Sequence, residues 1–330
     1  MAETDTPRTL TRDTTFDIMK GIGILLVLLG HVYEWKTVGR FVYSFHMPMF
    51  FIVAGCFAKT GDEVPDRRKA VGRYARRLLL PFLLVAVLNM GWMLGLSIVK
   101  HDWSYAIRMG LSYLYADTTY WPTPWGHLYL GITWFLLALF WAKVVFLYLG
   151  RWPRWRLWLS IALAVAALLV HRWCVYTPWC LCLGLAVLPF VAIGYEWRHR
   201  QLPAWLLWLL AACWVAAWRF SSLDIYGYDW GIYPLTLLGA CGGTWLFYQL
   251  CRLCAVHLPA LGRVLAWIGV CSLAIMCMHD LESTIHLGNH LRVALGLQFS
   301  TIGMYAWRYA ITIAMGVACM YLPVVKKLFR

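Results

Sequence analysis

Two ionisable side chains, Lys20 and His31, lie within one apolar run, FDIMKGIGILLVLLGHV, over residues 16 to 32. A spacing of eleven residues is about three helical turns and roughly 16 Å of rise, so a helix here projects both from one face. An ammonium and an imidazole at that depth are costly to insert, which makes the pair a candidate working site. Imidazole titrates in the range needed to take a proton from a hydroxyl, and a cation can steady charge that develops on oxygen. Glu34, three residues beyond His31, falls on a neighbouring part of the same face, where a carboxylate could orient the ring. His46 enters the next apolar run from the same end after a short loop, so two imidazoles converge near one mouth. Asp17, one turn before Lys20, is placed to pair with its ammonium. The plainer alternatives are interfacial histidines and an ordinary carboxylate at a helix start. Gly21, Gly23 and Gly30 favour the functional reading, because they let another backbone or a ligand come close.

A second group of charges follows. Arg67, Arg68, Lys69, Arg73, Arg76 and Arg77 put several cations on a short stretch of chain. Positive-inside bias explains part of this. The RxxR pair Arg73 and Arg76, with Arg77 beside it, also shares one helical face and offers planar donors suited to phosphate. A nucleotide-like ligand arriving from the cytosol is the sharper reading. His279 stands at the outer end of a late apolar run, where an imidazole is a candidate for lining a binding site.

These residues must be held by elements that cross a membrane. Of the 330 residues, 62% are hydrophobic and 13% charged, and the mean hydropathy is +0.65. That excludes an ordinary soluble globule. Runs long enough for roughly 30 Å of hydrocarbon recur about ten times, near 16–33, 41–58, 77–99, 128–149, 156–171, 179–195, 203–220, 231–250, 264–280 and 303–325. They are continuously apolar rather than alternating, which predicts helices and not barrel strands. The expected fold is an all-α, polytopic transmembrane bundle of about ten spans. A mobile head over 1–15 precedes a single domain over 16–330. The later half of the charged loop Lys59 to Arg77 is expected to be helical and continuous with the third span until Pro81. The aromatic segment 101–127 is expected to lie at the outer interface or fold over a cavity.

The net charge of +14 falls mainly in alternate loops, which places both termini in the cytoplasm and argues against nucleic acid as a partner. No cleavable signal peptide is apparent. Most of the eleven cysteines sit within apolar runs, where cysteine behaves as a small hydrophobe. Cys251 and Cys254 form a CxxC without a second pair, so no metal site is expected.

FDIMKGIGILLVLLGHV, FHMPMFFIVAGCF from Phe45, RYARRLLLPF from Arg73, HLYLGITWFLLALF from His127 and WIGVCSLAIMCMHD from Trp267 resemble, in order, the blocks of the membrane-bound acyltransferase 3 family. The closest flavour is the branch of fucose 4-O-acetylases and related acetyltransferases, and the resemblance spans about 16–280. It implies transfer of an acyl group, usually acetyl from acetyl-CoA on the cytoplasmic side, to a hydroxyl of a cell-envelope glycan or its lipid-linked precursor. The setting would be the bilayer of a bacterial-type inner membrane. The family's first-helix arginine and essential histidine correspond to Lys20 and His31, and its RxxR to Arg73 and Arg76. By this resemblance His31 is the general base, Lys20 a cation in the channel, and Arg73 and Arg76 ligands of CoA phosphates. Two departures stand out: Lys20 keeps the charge but not a forked donor, and the usual Ser-Gly of the second block is Ala54-Gly55. Two rivals remain at this level, a transporter or flippase and a non-catalytic membrane module that binds a sugar, lipid or amino acid. No internal repeat supports the first.

Overall fold

Asp13 opens the first helix, its carboxylate accepting the Thr15 N–H at 3.0 Å, and α1 then runs over Thr14–Gly30. The fold is that of a computed structural model describing residues 13–31, 36–118, 121–124, 126–128, 130–173, 177–199, 202–323 and 329. Most of the predicted head, together with Glu34, therefore lies outside the described residues. The chain continues through α2 (Lys36–Tyr43), α3 (His46–Cys56), α4 (Arg67–Tyr74), α5 (Leu80–Lys100) and α6 (Ser104–Tyr115). A two-stranded antiparallel ribbon, β1 (Trp121–Thr123) with β2 (Gly126–Leu128), pairs Pro122 with His127. Beyond it come α7 (Trp134–Leu149), α8 (Arg156–Trp173), α9 (Leu181–Ala186), α10 (Leu188–His199), α11 (Ala204–Phe220) and α12 (Tyr233–His257). The last helices are α13 (Pro259–Ile285), α14 (Leu287–Ala294) and α15 (Thr301–Cys319). Pro259 starts α13 directly after α12, a position where its missing N–H costs nothing.

Most described residues of the ten apolar runs lie on helix. By length and composition, four helical stretches among the described residues can cross a bilayer: Arg67–Lys100, Arg156–Trp173, Pro259–Ile285 and Thr301–Cys319. The pair formed by Pro178–Ala186 and Leu188–His199, bent by 47°, adds a fifth. Two boundaries differ from the sequence expectation. The run 41–58 is not one helix: it breaks at Ser44 and Phe45, between α2 and α3, and the Ser44 hydroxyl donates back to Phe41 O at 2.6 Å. Nor does the third helical run stop at Pro81. Pro81 has no N–H for the carbonyl one turn before it, and a π-helical turn over Ala75–Leu79 absorbs the defect, with the Leu80 N–H donating to Ala75 O. Helix then continues unbroken from Arg67 to Lys100.

The core forms where α1, α3, α7, α10 and α13 meet, with Met19, Met49, Phe51, Leu136, Leu137 and Phe190 fully buried. Small residues set the closest approach. A Cβ on Gly21 would strike Leu265 O of α13, and one on Gly269 would strike Asp17 O of α1; Gly55 and Gly194 do the same for α3 and α10. In hydrocarbon, where apolar burial does not drive helix association, such contact supplies the packing. Gly269→Leu is therefore expected to wedge α1 from α13 and to cost about 1–3 kcal/mol of stability. A lowered unfolding temperature in detergent, against an equal or slightly raised one for the solvent-side Gly72→Ala, where nothing lies within 4 Å and alanine favours helix, would register it.

Candidate functional site

One face of α1, carrying Lys20, Ile24, Val27 and His31, forms a wall of a cavity of about 1260 Å³. These positions are spaced i, i+4, i+7 and i+11, so helical periodicity alone aligns them. The facing stretch of α3 adds His46, Phe50, Val53 and Ala54. Arg73, Arg76 and Arg77 line the same cavity from α4 and the π-helical turn, as does Lys143 of α7. The wall is completed by Arg108, Ser112 and Tyr113 of α6, His127 of the ribbon, the loop Leu223–Tyr226, and Ser272, Asp280 and Ser283 of α13. Part of the aromatic segment 101–127 thus lines the cavity, through Arg108, Met109, Ser112, Tyr113 and His127.

Electrostatically the chamber is uneven. Described carboxylates in its wall are Asp224 and Asp280, the latter next in chain to His279 beside His31, and the wall also carries Arg108, while Arg73, Arg76, Arg77 and Lys143 come from α4, the π-helical turn and α7, which pack together. Lys20 is held by Asp17 in a 2.7 Å ion pair. Asp17 itself is buried and absent from the cavity wall, so it acts on the chamber through Lys20, the pairing its position one turn earlier suggested. Lys20 stands roughly three turns from His31, too far for both to act on one carbonyl carbon.

His31 caps α1, donating its backbone N–H to Leu28 O at 3.2 Å, and exposes its ring to the cavity. Its neighbour is His279 of α13, with ring centroids 5.2 Å apart. His279 does not reach the wall; it is 3% exposed, and neither ring nitrogen has a hydrogen-bond partner among the described residues. His46 starts α3 with Nδ1 2.7 Å from Val42 O. A neutral ring so placed carries its proton on Nδ1 and leaves the Nε2 lone pair free. The Tyr43 ring packs on it at 5.1 Å.

Asp280 is a functional candidate that sequence reading passed over, as are Asn89, Tyr113, Lys143 and Asp224. It accepts hydrogen bonds from Asn89 Nδ2 at 2.9 Å, Tyr113 Oη at 3.3 Å and the Thr133 N–H at 3.3 Å. Three segments distant in sequence are tied by one carboxylate. The available signal was a single polar residue inside each of several apolar runs, which by default faces a bundle interior or a cavity.

A helical membrane bundle enclosing a chamber with an imidazole at one end and clustered guanidinium groups near the other is the class of protein these features define. The family profile described as an acyltransferase domain matches residues 13–325, and the chain belongs to that family, the acyltransferase 3 family. The chain is similar to nodulation protein NolL of Sinorhizobium fredii, at 27% identity over 237 residues, covering 66% of this chain and 60% of the relative. It is also similar to NolL of Mesorhizobium japonicum, at 25% over 226 residues, covering 65% and 54%. The chain thus matches a little over half the length of these curated relatives. No solved structure matches.

Proposed function

We propose that the protein is a membrane O-acyltransferase that moves an acetyl group from acetyl-CoA to a hydroxyl of a cell-envelope glycan or its lipid-linked precursor. The observation that carries this reading is the single cavity whose wall includes both His31 and the Arg73–Arg76–Arg77 group. Donor phosphates bind at the guanidinium end, which is the cytoplasmic end, and the pantetheine arm lies along the chamber toward His31. There the neutral imidazole takes the acceptor hydroxyl proton as the oxygen attacks the thioester carbonyl. The tetrahedral intermediate collapses with loss of the CoA thiolate, which receives that proton, so the products are the ester and free CoA. His46, with a free lone pair at the same end, and His279, packed behind His31, support the acceptor side. Lys20, kept charged by Asp17, holds the channel polar. The membrane is the bacterial-type inner membrane.

The test uses purified protein in detergent with acetyl-CoA and a panel of sugar acceptors, free and lipid-linked. Acceptor-dependent release of CoA supports the reading. Substrate counterflow in vesicles without thioester loss would replace it with a transporter. A second measurement addresses the donor end: Arg73→Gln with Arg76→Gln is expected to weaken CoA binding about tenfold or more, since each removes a charge-assisted contact. Calorimetry should show acceptor affinity nearly unchanged, and unaltered CoA affinity would return both arginines to topology signals.

A further inference from the structure

Gly21 of α1 and Gly269 of α13 pack backbone to backbone, and ten residues further along each helix stand His31 and His279, their ring centroids 5.2 Å apart. Equal steps along two helices running side by side in one direction are equal rises, roughly 15 Å, so the rings meet at one level. The glycine contact thus sets the imidazole contact. The two rings are held differently. His31 is exposed to the cavity, whereas His279 is buried, absent from the wall and packed edge-on against Tyr309 of α15 at 6.0 Å. Neither ring nitrogen of His279 has a hydrogen-bond partner among the described residues. Charged neighbours on α13 and α15 are already engaged: Arg308 grips Glu282 at 2.7 Å, and Asp280 is held by Asn89, Tyr113 and Thr133. A buried imidazole with both nitrogens idle is costly to keep, yet in its neutral form it offers one N–H and one lone pair. The polar ring in contact with it is that of His31.

We infer that His279 is a positioning residue for His31: its ring lone pair accepts the N–H of the His31 imidazole, which fixes the His31 tautomer and leaves the opposite nitrogen unprotonated and turned to the acceptor hydroxyl. This rests on the proposed role of His31 as general base and adds the group that orients it. A neutral imidazole carries its proton on either nitrogen, and one of the two tautomers puts an N–H where the lone pair is needed. A turn of the exposed His31 side chain, or one water between the rings, completes the contact. The proton taken from the hydroxyl stays on His31 until the CoA thiolate receives it. His279 therefore keeps its charge throughout, which suits a ring buried at this depth.

The test measures acceptor-dependent CoA release and melting temperature in detergent for wild type, His279→Leu, His279→Asn, His279→Gln, His31→Ala and the double variant His31→Ala with His279→Leu. His279→Leu is expected to lower kcat about tenfold or more and to leave the KM for acetyl-CoA and for the acceptor nearly unchanged. Its melting temperature should stay level or rise, because an apolar side chain replaces a buried polar one without partners. His279→Asn sets an amide oxygen about where Nδ1 lies and His279→Gln about where Nε2 lies; the one that matches the nitrogen facing His31 should restore most of kcat. The double variant should be no slower than His31→Ala alone, since one residue acts through the other. If wild type releases no CoA with any acceptor, the acyltransferase reading itself falls, and the inference with it. If wild type turns over and His279→Leu keeps its kcat, only the positioning role falls. A raised acceptor KM with kcat intact would overturn it in favour of acceptor binding, and additive losses in the double variant would give His279 a task apart from His31. A His279→Leu protein that melts well below wild type, with neither amide restoring kcat, would make the ring structural.

Discussion

His31→Ala is expected to lower acceptor-dependent CoA release by about 10²–10⁴-fold, the range a positioned general base contributes, while the protein stays folded and still binds CoA. Retained binding follows from the geometry, because the guanidinium groups assigned to the donor lie around the other end of the chamber and come from different helices. His31 also closes α1 through its backbone rather than its side chain, so the truncation removes a cavity-facing ring and leaves the helix cap. His46→Ala should behave differently. Its Nδ1 proton is taken by Val42 O at 2.7 Å and its ring is 2% exposed, so its loss opens a void beneath Tyr43 and costs stability together with rate. Equal losses of rate with equal losses of melting temperature in both variants would remove the special role of His31. A full rate for His31→Ala would remove the mechanism.

The alignment of Lys20 with His31 was legible because it needs one assumption, a helix, and a helix is what a continuously apolar run must form in hydrocarbon. The grouping of Arg73, Arg76 and Arg77 was legible for the same reason. What joined the two groups was not, since a cavity is a property of several helices packed together. Asp280 shows the limit plainly: beside His279 it reads as one more charge near a helix end, and its meaning comes from Asn89 and Tyr113, which sit 191 and 167 residues away in sequence. Lys143 was readable as a lone cation in an apolar run, yet its direction, toward the chamber rather than along a snorkelling path to an interface, depends on Tyr74, whose ring centroid lies 4.9 Å from the ammonium. The π-helical turn before Pro81 had one local cue, the proline. The break between α2 and α3 had almost none, because FVYSFHMPMFF is apolar on both sides of it.

Glu282→Ala is expected to cost about 3 kcal/mol or more of stability, and Glu282→Met combined with Arg308→Met much less than that. Glu282 is 1% exposed, and the Arg308 guanidinium of α15 grips it with two nitrogens, Nη2 at 2.7 Å and Nε at 2.9 Å; the Gly288 N–H adds a third contact at 3.3 Å. Removing Glu282 leaves the partly buried Arg308 guanidinium, its side chain 24% exposed, without its carboxylate, whereas replacing both with apolar side chains of similar size removes the desolvation cost along with the attraction. The asymmetry between single and double variants, read from unfolding midpoints in one detergent, is therefore the signature of a buried pair. Near-equal losses in single and double variants would mean that solvent or lipid headgroups already screen it. The consequence for the site follows from register. Glu282 lies three residues after His279 on α13, so the pair to α15 helps fix the rotation of the helix that brings His279 to 5.2 Å from His31. A double variant that keeps stability but loses rate would locate the value of this ion pair in aiming α13 rather than in holding the bundle together.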